Sequence, residues 1–123
     1  MSTTLANGQN GNKSDRQRKI AELNDDYRLH RPLSGGKLVI TRGVLSLGYK
    51  DAIQISEYVR TFDNFTKDND PYGEHDFGSF IHKGQQIFWK IDYYDLNFEY
   101  GSEDPADETK TRRVLTIMLA SEY

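Results

Sequence analysis

The sequence predicts an α+β fold, a small, mainly antiparallel sheet of three to four strands packed against two to three helices. Apolar residues recur at helical spacing in two stretches of the first half and alternate at strand spacing between Phe77 and Tyr94. No repeat, low-complexity tract or long linker interrupts residues 14–123, so one α+β domain is expected there rather than a doubly wound parallel sheet. A chain of 123 residues can bury one core and has no room for a second domain.

Residues 1–13 are rich in Ser, Thr, Asn and Gly and have almost nothing to bury, so they are expected to be disordered. Ser14-Asp15-Arg16-Gln17 has the form of a capping box, with Ser14 capping the first turn and Gln17 reaching back to the Ser14 amide, and predicts a helix. Ile20, Leu23 and Tyr27 form its apolar stripe, while Arg16, Arg18, Lys19 and Arg28 belong to its solvated side. Arg31-Pro32 and Ser34-Gly35-Gly36 end it. Lys37–Thr41 reads as a strand with both faces at least partly covered, and Gly43–Gly48 as a connection. Ala52, Ile55, Val59 and Phe62 share one helical face and predict a second helix over residues 50–62. Asp63–Asp76 is dense in turn formers and carboxylates and is a loop.

Phe77–His82 and Gln86–Tyr94 form a predicted hairpin turning at Lys83-Gly84-Gln85, with Ile87, Trp89, Ile91 and Tyr93 on one face and Phe88, Lys90, Asp92 and Tyr94 on the other. Asn97–Tyr100 adds a short strand after a turn at Asp95. Asp104-Pro105 is a cap followed by a proline in the first helical position. With Asp107 and Glu108 at its positive end and Val114, Leu115, Ile117, Met118, Leu119 and Ala120 apolar on more than one side, a final helix packed against the sheet is expected.

Without cysteine there is no disulfide framework, thiolate metal site or cysteine nucleophile, and a reducing, cytoplasmic setting is expected. No apolar run is long enough for a signal peptide core or a membrane span. The net charge of −3 hides an asymmetry: residues 1–60 carry 10 Lys/Arg against 6 Asp/Glu, residues 61–123 carry 6 against 13. Such a split bears on surface potential and partners. Twelve of the 15 aromatic residues lie between Tyr58 and Tyr100, so the acidic and aromatic stretches coincide.

The stretch Arg60-Thr-Phe-Asp-Asn-Phe-Thr-Lys-Asp-Asn-Asp-Pro-Tyr-Gly-Glu-His-Asp-Phe-Gly78 resembles a family of short bacterial proteins, domain of unknown function 3768. Phe88-Trp-Lys-Ile-Asp-Tyr-Tyr-Asp95 and Thr111-Arg-Arg-Val-Leu-Thr-Ile-Met-Leu-Ala-Ser-Glu-Tyr123 extend the resemblance, which covers about residues 19–123. It implies no activity, ligand or catalytic residue, and no site is transferred from it.

Glu74-His75-Asp76, followed across the hairpin by Asp92 and Asp95, has the residue types of a metal site or a general acid/base pair. In an extended segment Glu74 and Asp76 point one way and His75 the other. Asp68-x-Asp70-x-x-Gly73 copies the opening of an EF-hand calcium loop, but its twelfth position is Ser79, where a bidentate Glu is needed. No serine sits in a strand-elbow-helix setting, and Ser34-Gly35-Gly36-Lys37 precedes a strand, so neither a nucleophile nor a phosphate cradle is expected. His30 reads as a helix C-terminal cation and His82 as a neighbour of the hairpin turn. Phe88, Tyr94, Phe98 and Tyr100 have the chemistry to stack bases, but the 12 acids and 3 lysines of residues 61–109 disfavour direct nucleic-acid binding, and most of these rings are expected in the core.

Two readings follow. In the first, a non-enzymatic protein binds a basic protein partner through Asp68, Asp70, Tyr72, Glu74, His75, Asp76, Asp92, Tyr94 and Asp95, in one version as a nucleic-acid mimic that inhibits a nuclease or defence complex. In the second, a metal-dependent hydrolase or transferase uses Glu74, His75 and Asp76 with Asp92 and Asp95. The first is preferred, with no cofactor and no membrane association expected.

Overall fold

The computed structural model describes residues 14–30 and 35–123. The disorder expected for residues 1–13, and the helix stop expected at Arg31-Pro32 and Ser34, lie outside the described residues. The Ser14 capping box forms as its sequence demands: the Gln17 amide donates to Ser14 Oγ (3.1 Å), and the Ser14 amide to Gln17 Oε1 (3.0 Å). Helix α1 runs from Asp15 to His30, followed by strand β1, Gly36–Ile40. A short helix α2, Arg42–Leu45, occupies part of the stretch expected to be only a connection, and α3 spans Tyr49–Arg60. Ala52, Ile55, Val59 and Phe62, the predicted stripe, are all buried.

Strand β2, Phe77–His82, and β3, Gln85–Tyr94, form the predicted hairpin. Lys83 and Gly84 turn it with φ of 49° and 82°. Positive φ at both central residues is the geometry whose twist matches that of the flanking strands. His82 Nε2 lies 2.8 Å, and Lys83 Nζ 3.0 Å, from the Asp51 carboxylate, so the turn is tied to the start of α3. Those hydrogen bonds, His82's first, hold the Asp51 pKa below its ordinary value.

The last element is not the expected helix. Residues 112–119 form strand β4, Arg112–Leu119, followed by a single 3-10 turn, Ala120–Glu122. Asp104 and Pro105 start a turn instead: the Ala106 amide donates to Asp104 Oδ1 (3.1 Å), and the Asp107 carboxylate then takes the Thr109 amide and hydroxyl, closing a second turn. A run apolar on both sides is degenerate between a buried helix and a central strand. Here the strand wins because β3 offers an open edge and Val114, Thr116 and Ile117 are β-branched. The strand expected at Asn97–Tyr100 is also absent; the chain turns there, with one isolated bridge between Tyr94 and Gly101.

The sheet order is β1-β4-β3-β2. β4 is antiparallel to β3 and β3 to β2, while β1 runs parallel to β4, so the sheet is mixed. β1 is an edge strand with Lys37, Leu38 and Val39 exposed, not a covered one. Ile87, Trp89 and Ile91 of β3 and Leu115 and Ile117 of β4 meet Tyr27, Val44, Ile55, Val59 and Phe62 in one core on one face of the sheet. Gly78 pairs with Trp89, and a Cβ at Gly78 would overlap the indole, so only glycine admits that ring. Phe88, Tyr94, Phe98 and Tyr100 lie outside this core, contrary to the expectation for most of them, because alternation puts Phe88 and Tyr94 on the opposite face and Phe98 and Tyr100 fall in the turn. A second correction concerns α1. Arg28 is 3% exposed, because residues 20, 24, 27 and 28 share one helical face.

Candidate functional site

The loop 61–76 is held by its own side chains. Thr66 and Asn69 exchange amide to side-chain hydrogen bonds, Thr66 N to Asn69 Oδ1 (2.8 Å) and Asn69 N to Thr66 Oγ1 (3.3 Å). Asp70 turns inward, and its Oδ1 accepts the amides of Glu74 (3.2 Å) and His75 (3.3 Å), so it is not presented to an ion as a calcium loop requires. With φ of 67° at Gly73 and 58° at His75, the segment takes a path that a β-carbon resists at His75.

That path sends His75 one way and Glu74 and Asp76 the other. His75 stacks on Phe65 with centroids 3.9 Å apart and planes within 3°. Its Nδ1 lies 3.0 Å from both oxygens of Asp25, and its Nε2 lies 3.8 Å from Asp70 Oδ2. Arg28 Nη2 donates to Asp25 Oδ1 (2.8 Å), and Arg28 Nη1 to the carbonyls of Val59 (2.9 Å) and Phe62 (2.8 Å), which closes the last turn of α3. The guanidinium also sits 4.8 Å from the Trp89 ring centroid. Burial lowers the Arg28 pKa, and the Asp25 hydrogen bond opposes that shift.

On the other side, Asn24 is fully buried and saturated. Its Nδ2 donates to the Glu74 carbonyl (2.9 Å) and the Tyr93 hydroxyl (2.8 Å), and its Oδ1 accepts from Arg113 Nε (2.6 Å). Arg113 Nη2 reaches the Pro105 carbonyl (2.7 Å), and Tyr93 donates to Asp76 Oδ2 (3.5 Å). Burial, followed by the neighbouring Asp70 charge, raises the Asp76 pKa. Burial, followed by Asp76, raises that of Glu74. Burial also pushes the Tyr93 hydroxyl far above its ordinary range.

The remaining predicted residues stand apart. Asp92 pairs with Lys90 (2.8 Å) on the opposite face, Asp95 accepts the amides of Asn97 and Glu99 (both 3.0 Å), Tyr94 packs near Phe98, and Asp68 and Tyr72 are exposed. Among the described residues, no group of three or more His, Asp or Glu side chains is placed to hold a metal ion, and Glu74, His75 and Asp76 do not converge with Asp92 and Asp95. The sequence reading missed Asn24, Asp25, Arg28, Tyr93 and Arg113 as parts of the site. For two of them a signal existed, since Asn24 and Arg28 lie four and eight residues after Ile20 on the buried stripe of α1.

Two hollows adjoin these groups. A cavity of about 240 Å³ is lined by Asp25, Arg28, Arg60, Asp63, Phe65 and His75 among others. A wider one of about 390 Å³ is lined by Asp95, Leu96, Asn97, Gly101, Glu103 and Lys110. No described helix is long and apolar enough to cross a membrane. One family model matches, over residues 40–122, leaving α1 outside the matched stretch. No curated protein and no solved structure matches the chain.

Proposed function

The chain belongs to the family Protein of unknown function (DUF3768), and we propose that it acts as a non-enzymatic binding protein that docks an acidic, aromatic surface on a basic partner. The observation that carries this reading is the hollow lined by Asp95 and Glu103, with Lys110 3.4 Å from the Glu103 carboxylate, at the sheet end where β3 stops and β4 begins. Tyr100, 75% exposed, and Leu96 supply apolar anchors, and Glu99 and Glu108 are exposed acids of the same stretch. Acids around exposed aromatics steer and then hold a basic surface.

The docking surface is therefore centred on residues 95–108, with Asp68 and Tyr72 exposed in the 61–76 loop, because Asp70, Glu74 and Asp76 turn their carboxylates inward. In its concrete version these outward acids imitate a phosphate backbone and inhibit a nuclease or defence complex. The test is affinity capture followed by calorimetry on the captured partner, with Glu99→Lys and Glu103→Lys introduced together. Affinity should fall by at least about 100-fold in that variant and weaken with salt. Binding that is unchanged by the reversal removes the reading.

A further inference from the structure

We infer that the sheet face opposite the core is the surface on which two copies of this chain pair, sheet on sheet, about a two-fold axis. The inference does not rest on the docking surface above, which uses other side chains. It starts from β4, where Val114, Thr116 and Met118 alternate with Leu115 and Ile117, so neither face of the strand carries a charge between residues 114 and 119. A strand of that pattern belongs in a sheet covered on both sides. Among the described residues the helices cover only one: Tyr27 of α1, Val44 of α2, and Ile55 and Val59 of α3 all enter the core with Leu115 and Ile117.

The neighbours of β4 continue this apolar face. Register sets Val39 of β1 beside Thr116 and Phe88 of β3 beside Met118. Val39 is 42% exposed, and Val114, Phe88 and Phe77 are half-buried. Tyr123 packs against Phe77 and Phe88 with centroids 6.0 and 5.6 Å away, and Phe98 lies 6.4 Å from Tyr94 at the other end of β3. A contiguous apolar surface left open in this way marks an interaction site.

Charge names the occupant. Near the middle of the face Lys90 and Asp92 stand two residues apart on β3, 2.8 Å from each other and still 36% and 40% exposed. The pair is neutral, with its two signs ordered along the strand, so a partner of one charge gains nothing from it. A second copy carries the complement. A two-fold axis that lies between the sheets and crosses β3 at Ile91 sets each Lys90 against Asp92 of the other copy. The same axis crosses β4 at Leu115 and β1 at Leu38, their register partners. It therefore opposes Val114 to Thr116, Lys37 to Val39, Arg112 to Met118 and Phe88 to Tyr94, and no charge meets its like. Sheets packed face to face keep their strands within about 30°, so these pairings apply near the axis. Four strands about 4.8 Å apart, with up to eight residues of about 3.4 Å each, give a footprint of about 500 Å² per copy, the size of a reversible interface.

The test is sedimentation velocity on the full chain from about 1 µM to about 1 mM. Wild type should pass from 14.2 kDa to twice that mass as concentration rises. Lys90→Asp and Asp92→Lys each bring like charges together across the axis, and each should weaken the dimer at least about tenfold. An equimolar mixture of these two variants should form a mixed pair, because each supplies the sign that the other lacks. The double variant Lys90→Asp/Asp92→Lys keeps the pair with its order reversed and should dimerise like wild type. Urea midpoints near that of wild type show that the variants fold. A wild-type chain still monomeric at about 1 mM would overturn the inference and leave the face to a different protein. A dimer indifferent to both single variants, or single variants that do not associate when mixed, would overturn it as well.

Discussion

On the side of Gly73–Asp76 that faces Tyr93, every polar group of the Asn24 side chain has a partner, whereas on the side that faces Phe65 the buried Arg28 keeps an N–H without one among the described residues. The two sides are supplied by consecutive residues of one helix, Asn24 and Asp25. What separates them is satisfaction: the first cluster fastens the loop to α1 and the sheet, and the second borders a cavity and leaves one buried donor unpaired among the described residues. Saturated buried networks add rigidity and specify one arrangement, while unsatisfied ones cost free energy unless something binds. The comparison teaches that the conspicuous Glu74-His75-Asp76 motif is divided between a fastener and a cavity wall.

The sharpest way to break this comparison is to cut the fastener. Asn24→Ala removes three hydrogen bonds and leaves the Arg113 Nε donor buried without its partner, so a loss of about 3 kcal/mol is expected, read as a lower urea midpoint at unchanged slope. A loss below about 1 kcal/mol would mean that the loop is held elsewhere.

The strain at His75 is a smaller effect and tests the other side. His75→Gly and His75→Ala both lose the Phe65 stack and the Asp25 contact, but only glycine adopts a φ of 58° freely. The glycine variant should be the more stable of the two by about 1 kcal/mol; equal stabilities would show that the backbone relaxes at no cost.

The smallest effect concerns protons. Burial raises the Asp76 pKa above its unfolded value, so the native state holds that proton more tightly. Its contribution is complete below the ordinary carboxylate range and is lost as pH rises through the raised value. Asp76→Asn retains an acceptor for Tyr93 and removes the titration. Measured against wild type, the variant should therefore gain stability from acid to neutral pH, by less than about 1 kcal/mol because the group keeps some contact with water. A difference that is flat with pH, or of opposite slope, would contradict the burial assigned to Asp76.

Much of this molecule was legible without tertiary contacts. The Ser14 capping box, the stripe of α3, the Lys83-Gly84 turn and the alternation of β3 depend on hydrogen bonds and periodicities within a few residues, and they appear where the residue order puts them. The polar loop was legible as a loop, but the direction of its carboxylates was not, because Asp70 chooses its partners from amides that only a particular fold of Gly73 and His75 presents.

Taken alone, the sequence determined the α+β fold class, the two long helices, the hairpin and its turn, since local spacing and turn chemistry are enough for each. Tertiary structure decided the rest. Arg112–Leu119 became a central strand, because an apolar run suits helix and strand alike until the free edge of β3 and the parallel β1 claim its backbone. Asn24 and Arg28 went inside because Tyr93, Arg113, Asp25 and the open carbonyls of α3 were there to pair them. A polar residue is buried only where partners meet it, and no spacing along the chain records where distant partners will be.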